Sequence, residues 1–257
     1  SVLTTTFNRE DYLEDCILSV LDSSFQNFEL IIVDDVSSDS SVEIAMTFAR
    51  KDPRIRVYKN DQNLGDYKNR NVAASLARGQ YIKYLDADDM IARFALEILF
   101  DSMEKHPSAC CGFADSRDVT GVHPVLLKPS ESYDNYYGQK IGLFDRSPLS
   151  VIIRREAFER IGGFSGRRNV GDFELWHLLA RDNNVLVIPF NLGFWRTHEA
   201  QESVMNRTDP IVPLRYLLLS REFLNMAETP MISETKAFAI QEKQRRIARL
   251  ILRASVE

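Results

Sequence analysis

Over its first hundred residues the sequence alternates short β-branched or aromatic runs with helix-like runs, and no other feature constrains the fold as tightly. Residues 2–6, 29–33, 55–59 and 81–85 read as strands, with helical stretches following at 12–23, 41–50, 69–77 and 92–103. Strand, helix, strand in repetition argues crossover helices and a parallel sheet covered on both faces. Ser40 or Ser41 with Glu43 close behind reads as a helix start, and Gly79 as the stop of the third helix. Beyond them lie a strand at 150–153, a helix at 155–161 ended by Gly162-Gly163, a helix at 173–182 and a strand at 185–190. The expected fold class is therefore α/β, a mostly parallel central sheet flanked by helices with a helical C-terminal extension.

Between 116 and 146 the pattern decays into Gly, Pro, Ser and Tyr, and a stretch that long without periodicity reads as a lid or binding loop. Residues 210–257 carry no strand signal. In 236–253, apolar Ile240, Ile247, Leu250 and Ile251 stand beside basic Lys243, Arg245, Arg246, Arg249 and Arg253. Such a helix can lie on an anionic membrane, join a homodimer, or pack on the domain with a solvated basic face, and packing is the preferred reading.

With 257 residues and 44% hydrophobic content the chain can bury a full core. A net charge of −5 offers no basic field, which argues against a nucleic-acid partner. Cys16, Cys110 and Cys111 have no metal-type spacing and read as reduced core thiols of a cytoplasmic protein. No apolar run reaches membrane-span length. Ser1 opens inside an apparent strand without an initiator Met, which suggests a chain trimmed there.

Two strand ends carry carboxylates. Tyr81-Ile-Lys-Tyr-Leu85 runs into Asp86-Ala-Asp88-Asp89, and the second apolar strand runs into Asp34-Asp35 with Ser37 and Asp39. Ligands of open α/β sheets gather outside the carboxyl ends of strands. Like charges crowded there are relieved by a hard divalent cation, Mg²⁺ or Mn²⁺. The competing reading is an acidic turn whose Asp caps the next helix. No Gly-x-Gly-x-x-Gly follows the first strand and no phosphate loop occurs, so dinucleotide oxidoreductases and P-loop enzymes lose ground.

Seven segments in order resemble the family 2 glycosyltransferases of the GT-A, Rossmann-like fold. They are Val2 through Arg9; Val33-Asp34-Asp35 with Ser37 and Asp39; Asn63-Leu-Gly65 with Arg70-Asn71 and Gly79; Asp86-Ala-Asp88-Asp89; Arg154 to Phe158 with Gly162-Gly163-Phe164; Gly171-Asp172-Phe-Glu174-Leu-Trp176; and Trp195-Arg196-Thr-His198. The resemblance covers residues 1–203 and implies a GT-A domain at 1–205, with a nucleotide-binding half at 1–100 and an acceptor half at 101–205, then a helical extension at 206–257. It places Thr5, Phe7, Asp34, Asp35, Arg70 and Asp86 on the nucleotide. Asp88 becomes a metal ligand with Asp89 beside it and His198 as a further ligand, although His198 also reads as a surface histidine. Asp172 becomes the general base with Glu174 in reserve, and Trp176, Trp195 and Arg196 line the sugar or acceptor side, core packing being the other reading for each Trp.

Three positions depart from the family pattern: Gly171 stands where a second acid is common, Asn69 where a small residue precedes Arg-Asn, and Thr5 where Pro is frequent. The implied function is inverting, metal-dependent transfer from a nucleotide sugar, UDP being the leading nucleotide, to a saccharide or lipid-linked acceptor. The setting would be bacterial cell-envelope polysaccharide synthesis at the inner face of the membrane. The alternatives are a sugar-nucleotide nucleotidyltransferase and an inactive saccharide-binding module of the same fold.

Overall fold

The computed structural model describes residues 1–114, 122–199, 201, 204, 209 and 211–254. An eight-stranded sheet in the order β3-β2-β1-β4-β8-β6-β9-β7 forms its centre. The strands are β1 (Val2–Thr6), β2 (Leu30–Asp34), β3 (Ile55–Lys59), β4 (Tyr81–Tyr84), β6 (Ala109–Ala114), β7 (Val125–Leu127), β8 (Val151–Arg154) and β9 (Asn184–Ile188). β1, β2, β3 and β4 run parallel, with Leu3 opposite Ile31 and Tyr84. β8 is antiparallel to both β4 and β6, and β7 is antiparallel to β9. The sheet is thus mixed but mostly parallel.

Side-chain alternation sends each strand into two cores. Val2, Leu30, Ile32 and Ile152 pack with α1 (Glu10–Leu21), α2 (Ser41–Ala49) and α4 (Ala95–Lys105). Leu3, Ile31, Ile82 and Ile153 pack on the other face with α3 (Asp66–Ser75), α5 (Pro129–Tyr137), α6 (Arg155–Arg160) and α7 (Gly171–Asp182). This second core includes Leu219, Phe223 and Leu224 of α8 (Ile211–Asn225) and Ala239 of α9 (Ser233–Ala254). His177 is buried at this junction, stacked 4.5 Å from Phe223, and burial pulls its pKa down to about 3. All three cysteines are free and buried. No helix among the described residues is long and apolar enough to cross a membrane.

Several sequence expectations change. The Cys110-Cys111 run forms β6 in mid-sheet, where a Cβ at Gly112 would lie 3.0 Å from Ile188 and 3.2 Å from Ile152. The stretch read as one loop at 116–146 holds β7 and α5, while 115–121 lies outside the described residues, as do Arg253's side chain and the boundary expected at 205/206. The helix expected from 92 starts at Ala95 with Phe94 as its cap. Before it, β5 (Met90–Ile91) pairs antiparallel with β10 (Gly193–Phe194), so Asp86 to Asp89 do not cap α4. Gly79 lies beyond the Leu76 cap of α3 and does not stop that helix.

Candidate active site

The loops after β1, β2 and β4 leave the same edge of the sheet and border a cleft of about 590 Å³. Thr5 in β1 with Phe7 and Arg9 just after it, Asp35 after β2 and Asp86 to Asp89 after β4 line it, and α3, α7, Trp195 and Tyr216 of α8 form further walls. The backbone there adopts costly conformations: Asn8 has φ 52° and the β-branched Val36 has φ 69°. Cross-loop bonds hold them, since Ser37 Oγ accepts from Asn8 N at 2.9 Å and Asn8 Oδ1 from Ser38 N at 2.9 Å.

Asp86, Asp88 and Asp89 bring carboxylate oxygens within 4.8 Å of one another. Burial, and then the charge of Asp86, push the Asp89 pKa up to about 7. Burial likewise raises Asp86, against the opposing pull of Arg70. Cations ring the loop. Arg70 reaches Asp86 Oδ1 at 2.7 Å and Asp66 Oδ1 at 2.7 Å. Asp88 Oδ2 accepts from Arg9 Nε at 3.1 Å and meets His198 Nε2 at 2.9 Å, and that imidazole stacks on Tyr12. Beneath the loop, buried Lys83 donates to the carbonyls of Tyr84 at 2.7 Å and Leu149 at 2.5 Å, and burial lowers its pKa to about 7. Three close carboxylates, two of them resisting ionisation, form a donor set that suits a hard divalent cation.

Asp35 lines the cleft and anchors its far wall. Its Oδ1 accepts from Leu64 N and Asn60 Nδ2 at 2.8 Å, and its Oδ2 from Gly65 N at 2.9 Å. Gly65 has φ +78°, a region that suits glycine. Asp34, expected on the nucleotide, is buried outside the cleft lining and accepts from Ser37 N at 3.0 Å. It shapes the turn instead. Among the described cleft-lining residues, Thr6 Oγ1, Arg70 Nη1 and Gln201 Oε1 are buried without a hydrogen-bond or ion-pair partner.

Asp172 sits in the first turn of α7, where its Oδ1 accepts from Phe173 N at 2.8 Å and from Tyr67 Oη at 3.4 Å. Burial raises its pKa to about 6. Gly171 in place of an acid now has a cause: a Cβ there would fall 2.7 Å from the Tyr67 ring. Tyr67 is itself held by stacking on Phe164, with centroids 5.1 Å apart.

Three further expectations are corrected. Glu174 is outside the cleft lining, bonded by Ser165 Oγ and paired with Arg167 at 3.2 Å, so the reserve base is a structural carboxylate. Trp176 is fully buried and donates to Arg146 O at 2.8 Å, which makes it core and not a cleft wall. Arg196 reaches Asp88 O, Asp15 at 2.9 Å and Tyr12 O at 2.8 Å, clamping the acidic loop to α1 outside the cleft lining. Trp195, in contrast, is 57% exposed and lines the cleft. Sequence reading missed Lys83, Tyr67 and Tyr216. Only Lys83 gave a signal, a lone charge inside a buried strand that ends in carboxylates.

An open, mostly parallel sheet with carboxylates gathered beyond β2 and β4 defines a GT-A domain. The chain belongs to glycosyl transferase family 2, whose sequence pattern matches residues 1–162. It is 42% identical over 160 residues to an uncharacterized glycosyltransferase of Haemophilus influenzae, covering 62% of this chain and 63% of that protein. It thus spans less than two thirds of that relative's length. Among solved structures, S. aureus TarS 1–349 in complex with UDP-GlcNAc superposes with a TM-score of 0.74 at 19% identity, over 95% of this chain and 71% of that one. The mannosyltransferase PcManGT of Pyrobaculum calidifontis, in complex with GDP-Man and Mn²⁺, gives 0.65 at 14% identity, over 99% and 79%.

Proposed function

We propose that the chain transfers a sugar, with inversion, from a nucleoside diphosphate donor to a hydroxyl of a saccharide or lipid-linked acceptor, Asp172 acting as base. The observation that carries this is the pairing, in one cleft, of the acidic loop with a carboxylate whose pKa stands at about 6. Asp172 takes the proton of the acceptor hydroxyl. That oxygen then bonds to the anomeric carbon while the bond to the diphosphate breaks and its electron pair leaves with the phosphate. A single displacement inverts the centre. Thr5, Phe7 and Asp35 border the nucleoside space, and Arg9 and Arg70 offer positive charge to the diphosphate. A divalent metal held by Asp86, Asp88 and Asp89, with His198 beside them, would neutralise charge on the leaving diphosphate. Transfer rises with pH through about 6 as Asp172 ionises.

UDP leads among the nucleotides by resemblance alone. We assign residues 1–205 to the transferase domain and 206–257 to a helical extension. Three free buried thiols favour a cytoplasmic setting. The test is heat-shift stabilisation by a panel of nucleoside diphosphates with Mn²⁺, Mg²⁺ or chelator, because a ligand bound only by the native state raises apparent stability. Metal-dependent stabilisation by one nucleotide, lost in Asp88→Ala, is expected. No shift with any nucleotide replaces this reading with an inactive module.

A further inference from the structure

A second cavity, of about 760 Å³, lies between α5, the loop after it, α8 and α9. Tyr216 lines both it and the cleft, and the two spaces adjoin at consecutive residues of α7, Asp172 on one side and Phe173 on the other. The transfer chemistry above makes no use of it. Its wall presents Lys140, Lys243, Arg246 and Arg249 against Asp145 and Glu242, four cations and two carboxylates, a net of plus two.

Those carboxylates satisfy the cations only in part. Asp145 already accepts from Tyr136 Oη at 2.8 Å. Glu242 stands 3.8 Å from Lys243 Nζ and 3.6 Å from Arg246 Nη1, both longer than a hydrogen bond. Lys140 and Arg249 pair with no carboxylate among the described residues. The Lys243 side chain is only 13% exposed, with its ammonium 5.7 Å from the centre of the Tyr137 ring. Burial holds the Lys243 pKa below the usual lysine value, so the charged form has a desolvation cost that a bound anion would relieve. Lys243, Arg246 and Arg249 recur every three residues along the side of α9 that borders the cavity, with Lys243 mostly covered at its wall and Arg246, Arg249 and Lys140 exposed around it.

We infer that this cavity binds a phosphate group carried by the acceptor, gripped by Lys140, Lys243, Arg246 and Arg249, while a hydroxyl of the same molecule passes Tyr216 to reach Asp172. Guanidinium forks and ammonium points are the natural partners of phosphate oxygens, and a net of plus two suits a phosphate better than a single carboxylate. The inference rests on the transferase reading only in naming the ligand as the acceptor.

The test is calorimetric titration of the full chain with inorganic phosphate in the presence of chelator, for wild type and for the double variant Lys140→Gln with Arg249→Gln. Both positions are exposed, so the fold should be kept, and matching melting curves would confirm it. Saturable, salt-sensitive binding that weakens about tenfold or more in the double variant is expected from the loss of two charge-assisted contacts. Lys243→Met should weaken it as well. Dodecyl phosphate and glycerol 3-phosphate separate the sources: tighter binding of the first names a lipid-borne phosphate, of the second a soluble or polymeric one. Equal binding by wild type and double variant overturns the site, because it puts the phosphate in the donor cleft. Flotation with phosphatidylglycerol vesicles that the double variant loses, without saturable phosphate binding, overturns it in favour of a membrane surface. Phosphate binding by a chain that transfers no sugar would sink the transferase reading alone, whereas transfer without phosphate binding would sink this site alone.

Discussion

Replacing Asp172 with Asn should make the chain more stable and inactive at once. Burial lifts this carboxyl from its ordinary 3.8 to about 6, with the Phe173 N–H and the Arg70 charge pulling the other way. A raised pKa in the folded state means that ionisation is harder there than in the unfolded chain. The protonated acid therefore supports folding fully below about pH 3.8, and that support is lost as the pH climbs through about 6. Above that the loss is constant: roughly two pKa units at about 1.4 kcal/mol each give about 3 kcal/mol, trimmed to about 2 because the carboxylate is partly open to the cleft. Asn carries no charge to desolvate. At pH 8 the variant should exceed wild type by about 2 kcal/mol, or roughly 4–8 °C in Tm for a chain of this size, and the gap should close toward pH 4. Thermal melts at pH 8 and pH 4.5, set beside a transfer assay, read both effects. Parallel melting at both pH values refutes burial as the source of the shift. Full turnover by Asp172→Asn removes Asp172 from the chemistry.

Gly171→Ala should drive the Tyr67 ring from its seat, since the added Cβ would stand 2.7 Å from it; about 1–3 kcal/mol of stability and about tenfold of kcat should be lost, while in a Tyr67→Ala background the same change should cost no further Tm. A single variant that melts and turns over like wild type would contradict this. Lys83→Met strips a donor from buried carbonyls and a counter-charge from the acidic loop, so melts in chelator should show a loss of about 2–4 kcal/mol; an unchanged Tm denies Lys83 that role. The two tryptophans should split cleanly: Trp176→Phe costs about 1–3 kcal/mol with KM unchanged, whereas Trp195→Ala raises KM with Tm unchanged, and the reverse pattern would undo their placement.

The parallel half of the fold was legible because its strands are short runs rich in β-branched or aromatic residues that stop at Asn or Asp and alternate with helix-like runs. β6 was not, since Ala-Cys-Cys-Gly-Phe-Ala has weak strand character and becomes one only through burial between β8 and β9. α5 was hidden in the same way, its helix opened by Pro129 and closed by Gly138 inside a stretch whose composition reads as loop. Within the site, residue type told which atoms were available but not their direction. Asp34 and Asp35 are adjacent on an extended chain and so point apart, one into the turn and one to the cleft. Asp172 and Trp176 lie on one helix, yet only the first turn of that helix opens on the cleft.

Two departures from the family pattern share one cause, the way α3 is seated. Asn69 is buried, donates to Val33 O at 3.1 Å and accepts from Asn60 at 2.9 Å, which ties α3 to β2 and to the loop that Asp35 holds. A small residue there would leave Val33 O and Asn60 without these bonds. One turn of α3 carries Tyr67 toward Asp172 and Arg70 toward Asp86, positions three apart that share a helix face. Gly171 is what lets Tyr67 take that place. The separation between the proposed base and the acidic loop is therefore set by a single rigid turn, held at its back by Asn69. Loosening that turn, as Asn69→Ala would, should lower turnover and nucleotide affinity together, because Tyr67 at Asp172 and Arg70 at Asp86 move as one; a loss of turnover with unchanged nucleotide binding in a heat-shift titration would contradict this.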